Sequence, residues 1–171
     1  MLALFFLDAP ALPAGWTLFR GAELTQMICR RPSLISNGSL QPGTTLRKLD
    51  ASDVPAMIEL ATLTEPGPFR ERTIELGNFY GILEGDRLLA MAGQRMRVPG
   101  FVEVSAVCTH PDVRGRGYAG VLMSRVMRDI IAEGTTPFLH ALADNPAISL
   151  YTKLGFTQRQ VFQLAVIKRD D

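Results

Sequence analysis

The fold is decided by residues 107–120, which read V-C-T-H-P-D-V-R-G-R-G-Y-A-G. The run begins as an apolar strand, passes through a polar loop with two glycines and enters an amphipathic helix. Glycine has no Cβ and lets the backbone approach a ligand closely. The first unpaired N–H groups of a helix, together with its dipole, favour an anion. With Arg114 and Arg116 at the same end, the run predicts a phosphate-binding site at residues 114–120.

Length and composition limit the class of protein. The 171 residues fit one domain with a sizeable core. Hydrophobic residues make up 47%, charged residues 20% and the net charge is +1, which favours a globular protein without a nucleic-acid or membrane partner. Cys29 and Cys108 lack metal-ligand spacing, and the two histidines, His110 and His140, are scattered. These features predict a reduced, cytoplasmic protein without a metal.

Hydrophobic periodicity and turn residues predict a mixed α+β domain with a mostly antiparallel sheet and about four helices. Residues 1–43 are predicted to be a strand-rich extension, with two or three short strands, packed on the same domain as residues 44–171. The apolar run 2–7 is too short for a signal peptide or a membrane span, and its abrupt start leaves open whether an upstream segment is missing. The later elements are predicted as strands at 45–49, 79–83, 87–97, 101–109, 136–142, 156–157 and 160–167, and helices from 54, at 70–76, at 118–133 and from Asn145 with Pro146 in first position.

Three other interpretations of the glycine run are weaker. Gly115, Gly117 and Gly120 match a dinucleotide fingerprint, but that fold needs the glycines directly at a strand end and a second nucleotide-binding half downstream. A P-loop needs Gly-Lys-Ser or Gly-Lys-Thr after its glycines, and the sequence has Arg-Gly-Tyr. The Arg-Gly-Arg-Gly run does not repeat as a disordered RNA-binding segment would.

Two motifs, in the right order, resemble those of the GNAT superfamily of N-acetyltransferases. R-G-R-G-Y-A at 114–119 resembles its R/Q-x-x-G-x-G/A motif, and N-P-A-I-S-L-Y-T-K-L-G-F at 145–156 is similar to its second motif. The resemblance covers about residues 44–167, and the C-T-H-P lead-in is closest to bacterial-type members. It implies that strands 101–109 and 136–142 are a parallel pair that splays apart around acetyl-CoA.

The resemblance also implies which residues bind acetyl-CoA, the co-substrate. Backbone amides of the glycine run would hold the pyrophosphate, and a strand N–H near Val107 would polarise the thioester carbonyl. Asn145 would cap its helix and bond the pantetheine arm, whereas the Cys108 thiol is interpreted as packing. The implied set is Val107, Cys108, Thr109, Arg114, Gly115, Arg116, Gly117, Tyr118, Ala119, Gly120 and Asn145.

Two catalytic residues are implied by the same resemblance. Tyr151 would protonate the leaving thiolate; its other interpretation is a core aromatic residue. Glu103 matches the general-base glutamate of the histone-acetylating branch, and strand alternation places it on one face with Ser105 and Val107 unless a bulge intervenes. A water chain in place of Glu103, or an exposed strand glutamate without a role, remains open.

The substrate is less defined by the sequence. The loop that carries Glu65, Phe69 and Arg70 is implied to line the acceptor pocket. The expected function is direct acetyl transfer to a primary amine of a small molecule or a protein, by a monomer or a homodimer. The alternative is a non-catalytic acyl-CoA-binding or regulatory module on the same fold.

Overall fold

The computed structural model describes residues 2–8, 11–36 and 40–170, and its centre is one eight-stranded sheet. The strand order is β1-β8-β2-β7-β6-β5-β4-β3, and every neighbouring pair is antiparallel except β6–β7. The predicted mixed α+β fold is confirmed. The strands are β1 (Leu2–Phe6), β2 (Trp16–Cys29), β3 (Thr44–Lys48), β4 (Phe79–Glu84), β5 (Arg87–Val98), β6 (Phe101–Thr109), β7 (Thr136–Leu142) and β8 (Phe156–Arg169), and the α-helices are α1 (Val54–Thr64), α2 (Tyr118–Ala132) and α3 (Ile148–Lys153).

Local sequence signals place most of these elements. Gly85 and Gly100 take φ values of 57° and 80° in the turns of the β4–β5 and β5–β6 hairpins, a conformation that glycine adopts without strain. The carboxylate of Asp50 accepts a hydrogen bond from the Ser52 N–H and caps a 3-10 turn that leads into α1. The predicted short helix is a 3-10 helix, Glu71–Leu76, in the structure.

Three local predictions are corrected by the structure. β2 and β8 are single strands of 14 residues, where shorter strands were predicted. β-Bulges in their pairing, such as that between Leu18 and Arg20, accommodate the residues that interrupt the alternation of side chains. Asn145 does not cap α3: its Oδ1 accepts a hydrogen bond from the Ala147 N–H at 2.8 Å and closes a turn first. The helix therefore begins at Ile148, and Pro146 lies in the turn.

The amino-terminal strands are part of the central sheet. β2 pairs with β7 on one side, from Leu24 to Ile28, and with β8 along nearly its whole length on the other. β1 pairs with the outer edge of β8. The division into a 1–43 extension and a 44–171 domain stays a prediction, and the sheet crosses that boundary.

The sheet has two differently covered faces. On one face, α2 packs on β4, β5, β6 and β7, and buried residues such as Leu122, Val126 and Leu139 form the larger apolar cluster. On the other face, α1 packs on β5 and β6 around Met57, Leu60 and other buried residues of a second cluster. We call these the α2 face and the α1 face. In the described part of the chain, no helix is long and apolar enough to cross a membrane.

Candidate active site

A cleft opens where β6 and β7 separate. The two parallel strands pair at Phe101–Thr136, Val102–Pro137 and Glu103–Phe138 only. Beyond these positions β6 pairs with β5, and β7 pairs with β2. Beyond these positions no described strand pairs with the facing backbone edges of β6 and β7, which leaves them available to a ligand, as the splayed pair of the resemblance requires.

The glycine run presents a row of unused backbone donors at the start of α2. Gly115 and Gly117 have φ values of 78° and 79°, and Gly117 is the N-cap of the helix without a side-chain cap. The first helical bond at this end runs from the Val121 N–H to the Gly117 carbonyl at 3.2 Å. Within the described residues, no acceptor takes the N–H groups of residues 115–120. Such a row of donors fits the phosphates of a CoA molecule.

Side chains of the glycine run divide between solvent and core. Arg114 and Arg116 are exposed, and the Arg114 Nε–H donates to the Thr109 carbonyl at 3.4 Å. Tyr118 is 1% exposed, so this residue offers a ligand only its backbone. At Gly120 a Cβ would stand 2.7 Å from Cδ1 of Ile35, so Gly120 lets this side chain pack closely on α2.

A β-bulge in β6 overturns one sequence expectation. Ala106 has a φ of 51°, and the pairing with β5 shifts between Ser105 and Cys108. Val104 lies before the bulge and Val107 after it, and both face α2. In a regular strand, two residues an odd number of positions apart would face opposite sides. Glu103 and Val107 therefore lie on opposite faces of the sheet: the bulge that the sequence analysis left open is present, and its extra residue reverses the alternation.

Cys108 packs in the α1-face cluster, beside α1. Burial raises the pKa of its thiol to about 11, so the thiol stays protonated at neutral pH. This environment fits the packing interpretation, and only the backbone of Cys108 remains as a candidate ligand contact.

Tyr151 lies on α3 with 7% of its surface exposed. Burial raises the pKa of its phenol above the ordinary value, which keeps the proton on the oxygen at neutral pH. Among the described residues, none forms a hydrogen bond with this hydroxyl. The side chain therefore holds a proton that is not committed to another group.

Glu103 occupies the last paired position before the cleft opens, and its side chain is 1% exposed. The Arg95 guanidinium donates from Nε and Nη2 to its two carboxylate oxygens, both at 2.9 Å, and Nδ1 of His140 lies 2.8 Å from Oε1. Burial acts to raise the pKa of this carboxyl, but the hydrogen bonds of His140 and Arg95 outweigh it and bring the pKa below its usual value. The predicted general base is thus an ionised carboxylate with both oxygens bonded.

Sequence reasoning missed His140 and Arg95 as neighbours of Glu103. Neither belongs to a motif, and His140 lies 37 positions from Glu103 along the chain. The available signal was the pairing of β6 with β7, because alternation puts Glu103 and His140 on the same face of neighbouring parallel strands.

The loop after α1 carries both exposed charged side chains and a packed aromatic ring. Glu65 is exposed at the C-cap of α1 with a φ of 48°, and Arg70 is also exposed. The Phe69 ring packs edge-on against Phe79 with centroids 5.8 Å apart. The loop lies on the α1 face, as Glu103 does, and its role toward an acceptor stays a prediction. Among the described residues, no group of three or more His, Cys, Asp or Glu side chains is arranged to hold a metal ion.

Comparison with known proteins finds one matching family model and similar solved structures. Residues 79–164 match the family model described as FR47-like protein. The chain is similar to a GNAT-family protein of known structure from Novosphingobium aromaticivorans, with 41% identity and a TM-score of 0.89 over 99% of this chain and 75% of that one. No curated protein matches the chain at a significant level.

Two more distant structures share the fold. A GCN5-related N-acetyltransferase from Kribbella flavida superposes with a TM-score of 0.62 at 19% identity, over 88% of this chain and 60% of that one. The ribosomal-protein-S18-alanine N-acetyltransferase from Escherichia coli gives 0.59 at 20% identity, over 75% of this chain and 96% of that one. At these identities the likeness concerns the fold alone.

Proposed function

The chain belongs to the GNAT family, and from that premise we propose that it transfers an acetyl group from acetyl-CoA directly to a primary amine. The observation that carries this proposal is the split between β6 and β7 combined with the free N–H groups of residues 115–120. A strand edge and a helix N-terminus provide two kinds of contact, one for an amide-bearing arm and one for phosphates.

The residues present fit a CoA molecule. The N–H groups of 115–120 would hold the pyrophosphate, and the exposed Arg114 and Arg116 would add positive charge. The unpaired edge of β6 at Val107–Thr109 and the Asn145 side chain would bond the pantetheine arm. When bound, acetyl-CoA supplies an acetyl group activated as a thioester.

Tyr151 is the proposed general acid. Its buried phenol keeps a proton at neutral pH and has no competing partner in the described structure, so it can give that proton to the leaving sulfur. A backbone N–H near Val107 would stabilise the negative charge that develops on the thioester oxygen. These two groups act on opposite ends of the bond that breaks.

The acceptor amine would approach from the α1 face. Glu103, the ionised carboxylate at the closed end of the cleft, is on this face, and so is the loop with Glu65, Phe69 and Arg70. The acceptor would be a small-molecule or protein amine, and the enzyme would work in the cytoplasm as a monomer or a homodimer.

Calorimetric titration with acetyl-CoA, with NAD as the control, tests the ligand first. We expect acetyl-CoA to bind in the micromolar range, on the order of −8 kcal/mol, and NAD not to bind. Release of free CoA with a panel of primary amines (spermidine, amino-acid amides and short peptides with a free amino terminus) then tests the reaction. Binding without amine-dependent release from any of them would favour the non-catalytic module, and no binding would contradict the assignment of the glycine run.

A further inference from the structure

His140 lies in a chain of oriented hydrogen bonds that crosses the α1 face. Its Nδ1 is 2.8 Å from Glu103 Oε1, and its Nε2 is 3.0 Å from Nε2 of Gln26. The Oε1 of Gln26 accepts a hydrogen bond from Arg159 Nη1 at 2.7 Å. At the other end of the chain, Arg95 forms the two-pronged contact with Glu103.

The donors and acceptors of this chain fix the tautomer of His140. A guanidinium has only donors, so Arg159 faces the oxygen of the Gln26 amide and turns the amide nitrogen toward His140. That nitrogen is also a donor, so Nε2 of His140 must be the acceptor. The ring proton therefore sits on Nδ1 and is donated to Glu103. This pattern of donors and acceptors corresponds to the Nδ1–H tautomer, with the lone pair at Nε2.

One charged group and three aromatic rings surround the His140 ring. Glu103 of β6 is the one charged group that contacts the ring within the described residues; Arg95 of β5 and Arg159 of β8 act through Glu103 and Gln26. The remaining neighbours are the rings of Phe5, Phe138 and Phe162, whose centroids lie 5.1, 5.6 and 5.9 Å from that of His140. An imidazolium here would be paired with an adjacent carboxylate and surrounded by aromatic rings.

Glu103 itself is poorly suited to take the proton. Both of its oxygens accept hydrogen bonds, and the Arg95 ion pair favours the charged form. Among the described residues, Nε2 of His140, by contrast, contacts only the amide of Gln26, which is half-buried and bonded to the exposed Arg159. We propose that His140 takes the proton of the acceptor amine, and that Glu103 is a positioning residue that holds the ring and stabilises its charged form.

This inference rests on the proposed acetyl transfer, and the proton balance closes. The ammonium gives one proton to Nε2 of His140, and the neutral nitrogen forms the C–N bond while the C–S bond breaks. Tyr151 gives its phenolic proton to the leaving sulfur. The second proton of the nitrogen returns to the tyrosinate through solvent, and His140 releases its proton to solvent. The net products are the amide, CoA thiol and one proton.

The tautomer is tested without any turnover. The chain has two histidines, so the variant His110→Gln leaves His140 as the single source of imidazole signals. We expect long-range 1H–15N spectra of 15N-histidine-labelled protein, at a pH where the ring is neutral, to show a protonated Nδ1 and an unprotonated Nε2. In Glu103→Gln the preference for Nδ1–H should weaken. An Nε2–H tautomer in the otherwise wild-type chain would overturn the proposal.

The base role is tested by pH dependence in His140→Gln, using the best amine of the panel. We expect kcat to fall by about 100-fold or more near pH 7, while KM for acetyl-CoA stays within about threefold. The deficit should shrink as pH approaches the pKa of the amine, because a neutral amine no longer needs a base. His110→Gln should keep the wild-type pH profile.

The outcomes separate this inference from the proposed function. A His140→Gln deficit that is the same at every pH indicates a structural role and overturns the inference, while amine-dependent turnover of the wild type still supports acetyl transfer. A wild-type chain that binds acetyl-CoA but acetylates no amine contradicts the proposed function itself. A thermal melt of His140→Gln, with His140→Asn as a second variant, verifies that the fold is retained.

Discussion

The rings of Tyr151 and Phe156 meet edge to face across the turn from α3 to β8, with centroids 6.4 Å apart. Phe156 is fully buried, so its contact helps to fix the orientation of the Tyr151 ring. The contact uses only carbon atoms and leaves the phenolic oxygen uncommitted. Removal of the phenolic oxygen alone therefore separates the packing role of Tyr151 from its chemical role.

We expect Tyr151→Phe to lower kcat by about 100-fold or more, because the general acid is lost while the ring contact remains. The midpoint of thermal unfolding and the calorimetric Kd for acetyl-CoA should change little. Steady-state CoA release and titration of the same preparation check this. Loss of acetyl-CoA binding, or an unchanged kcat, would show that the hydroxyl is not the acid.

Removal of one exposed charge from the glycine run should weaken acetyl-CoA binding. For Arg116→Ala we expect the Kd to rise about threefold to tenfold, and less at high salt, because an exposed charge contact with a phosphate is screened. Arg72→Ala is the matched control, since Arg72 is exposed and pairs with Glu75 on the 3-10 helix. Equal effects of the two substitutions on the Kd would contradict the assignment of Arg116 to the proposed acetyl-CoA site.

Ala106 carries backbone strain in the bulge of β6, with a φ of 51°. A non-glycine residue in this region costs about 1 kcal/mol, so Ala106→Gly should leave the free energy of unfolding unchanged or raise it by up to about 1 kcal/mol. Ala92→Gly, at the opposing position of β5 where no positive φ is found, should lower it by about 1 kcal/mol. Urea unfolding of both variants checks the prediction, and a clear loss of stability in Ala106→Gly would contradict it.

Acid should remove the stabilisation contributed by the Glu103 carboxylate. The folded-state pKa of this group lies below its ordinary value of 4.5, so its ionised form stabilises the fold above that value. The contribution is then lost as the pH falls through the lower, folded-state pKa. We expect the difference in unfolding free energy between the wild type and Glu103→Gln to be largest above pH 5 and to shrink below about 4.5. A difference that grows on acidification would contradict the sign of the shift.

Local signals predicted much of the fold. The glycine turns, the apolar stripe of α2 and the strand bounds of β6 and β7 depend on residues close in sequence, and the structure confirms them. The bulge at Ala106 was not predicted, since alanine carries no signal for a positive φ and the shift arises from pairing with β5. One unpredicted residue was enough to move Val107 to the other face from Glu103.

The unpredicted parts of the site depend on contacts between distant segments. Arg95, Glu103, His140 and Gln26 come from four strands, and each looks like an ordinary strand residue when read alone. The position of β2 between β7 and β8 is also non-local, because nothing in residues 16–29 specifies which strand edges they will join. The motifs singled out the glycine run at 114–120, whereas the hydrogen-bonded chain of polar side chains became visible only through sheet register.

The position of β2 has a consequence for biosynthesis. β2 is synthesised before both of its partners, β7 and β8, and most of the sheet lies between them in sequence. The backbone donors and acceptors of β2 therefore stay without these partners until β7 and β8 have been made. We therefore expect this side of the sheet to form slowly and as a unit, because its pairings join segments that are distant in sequence.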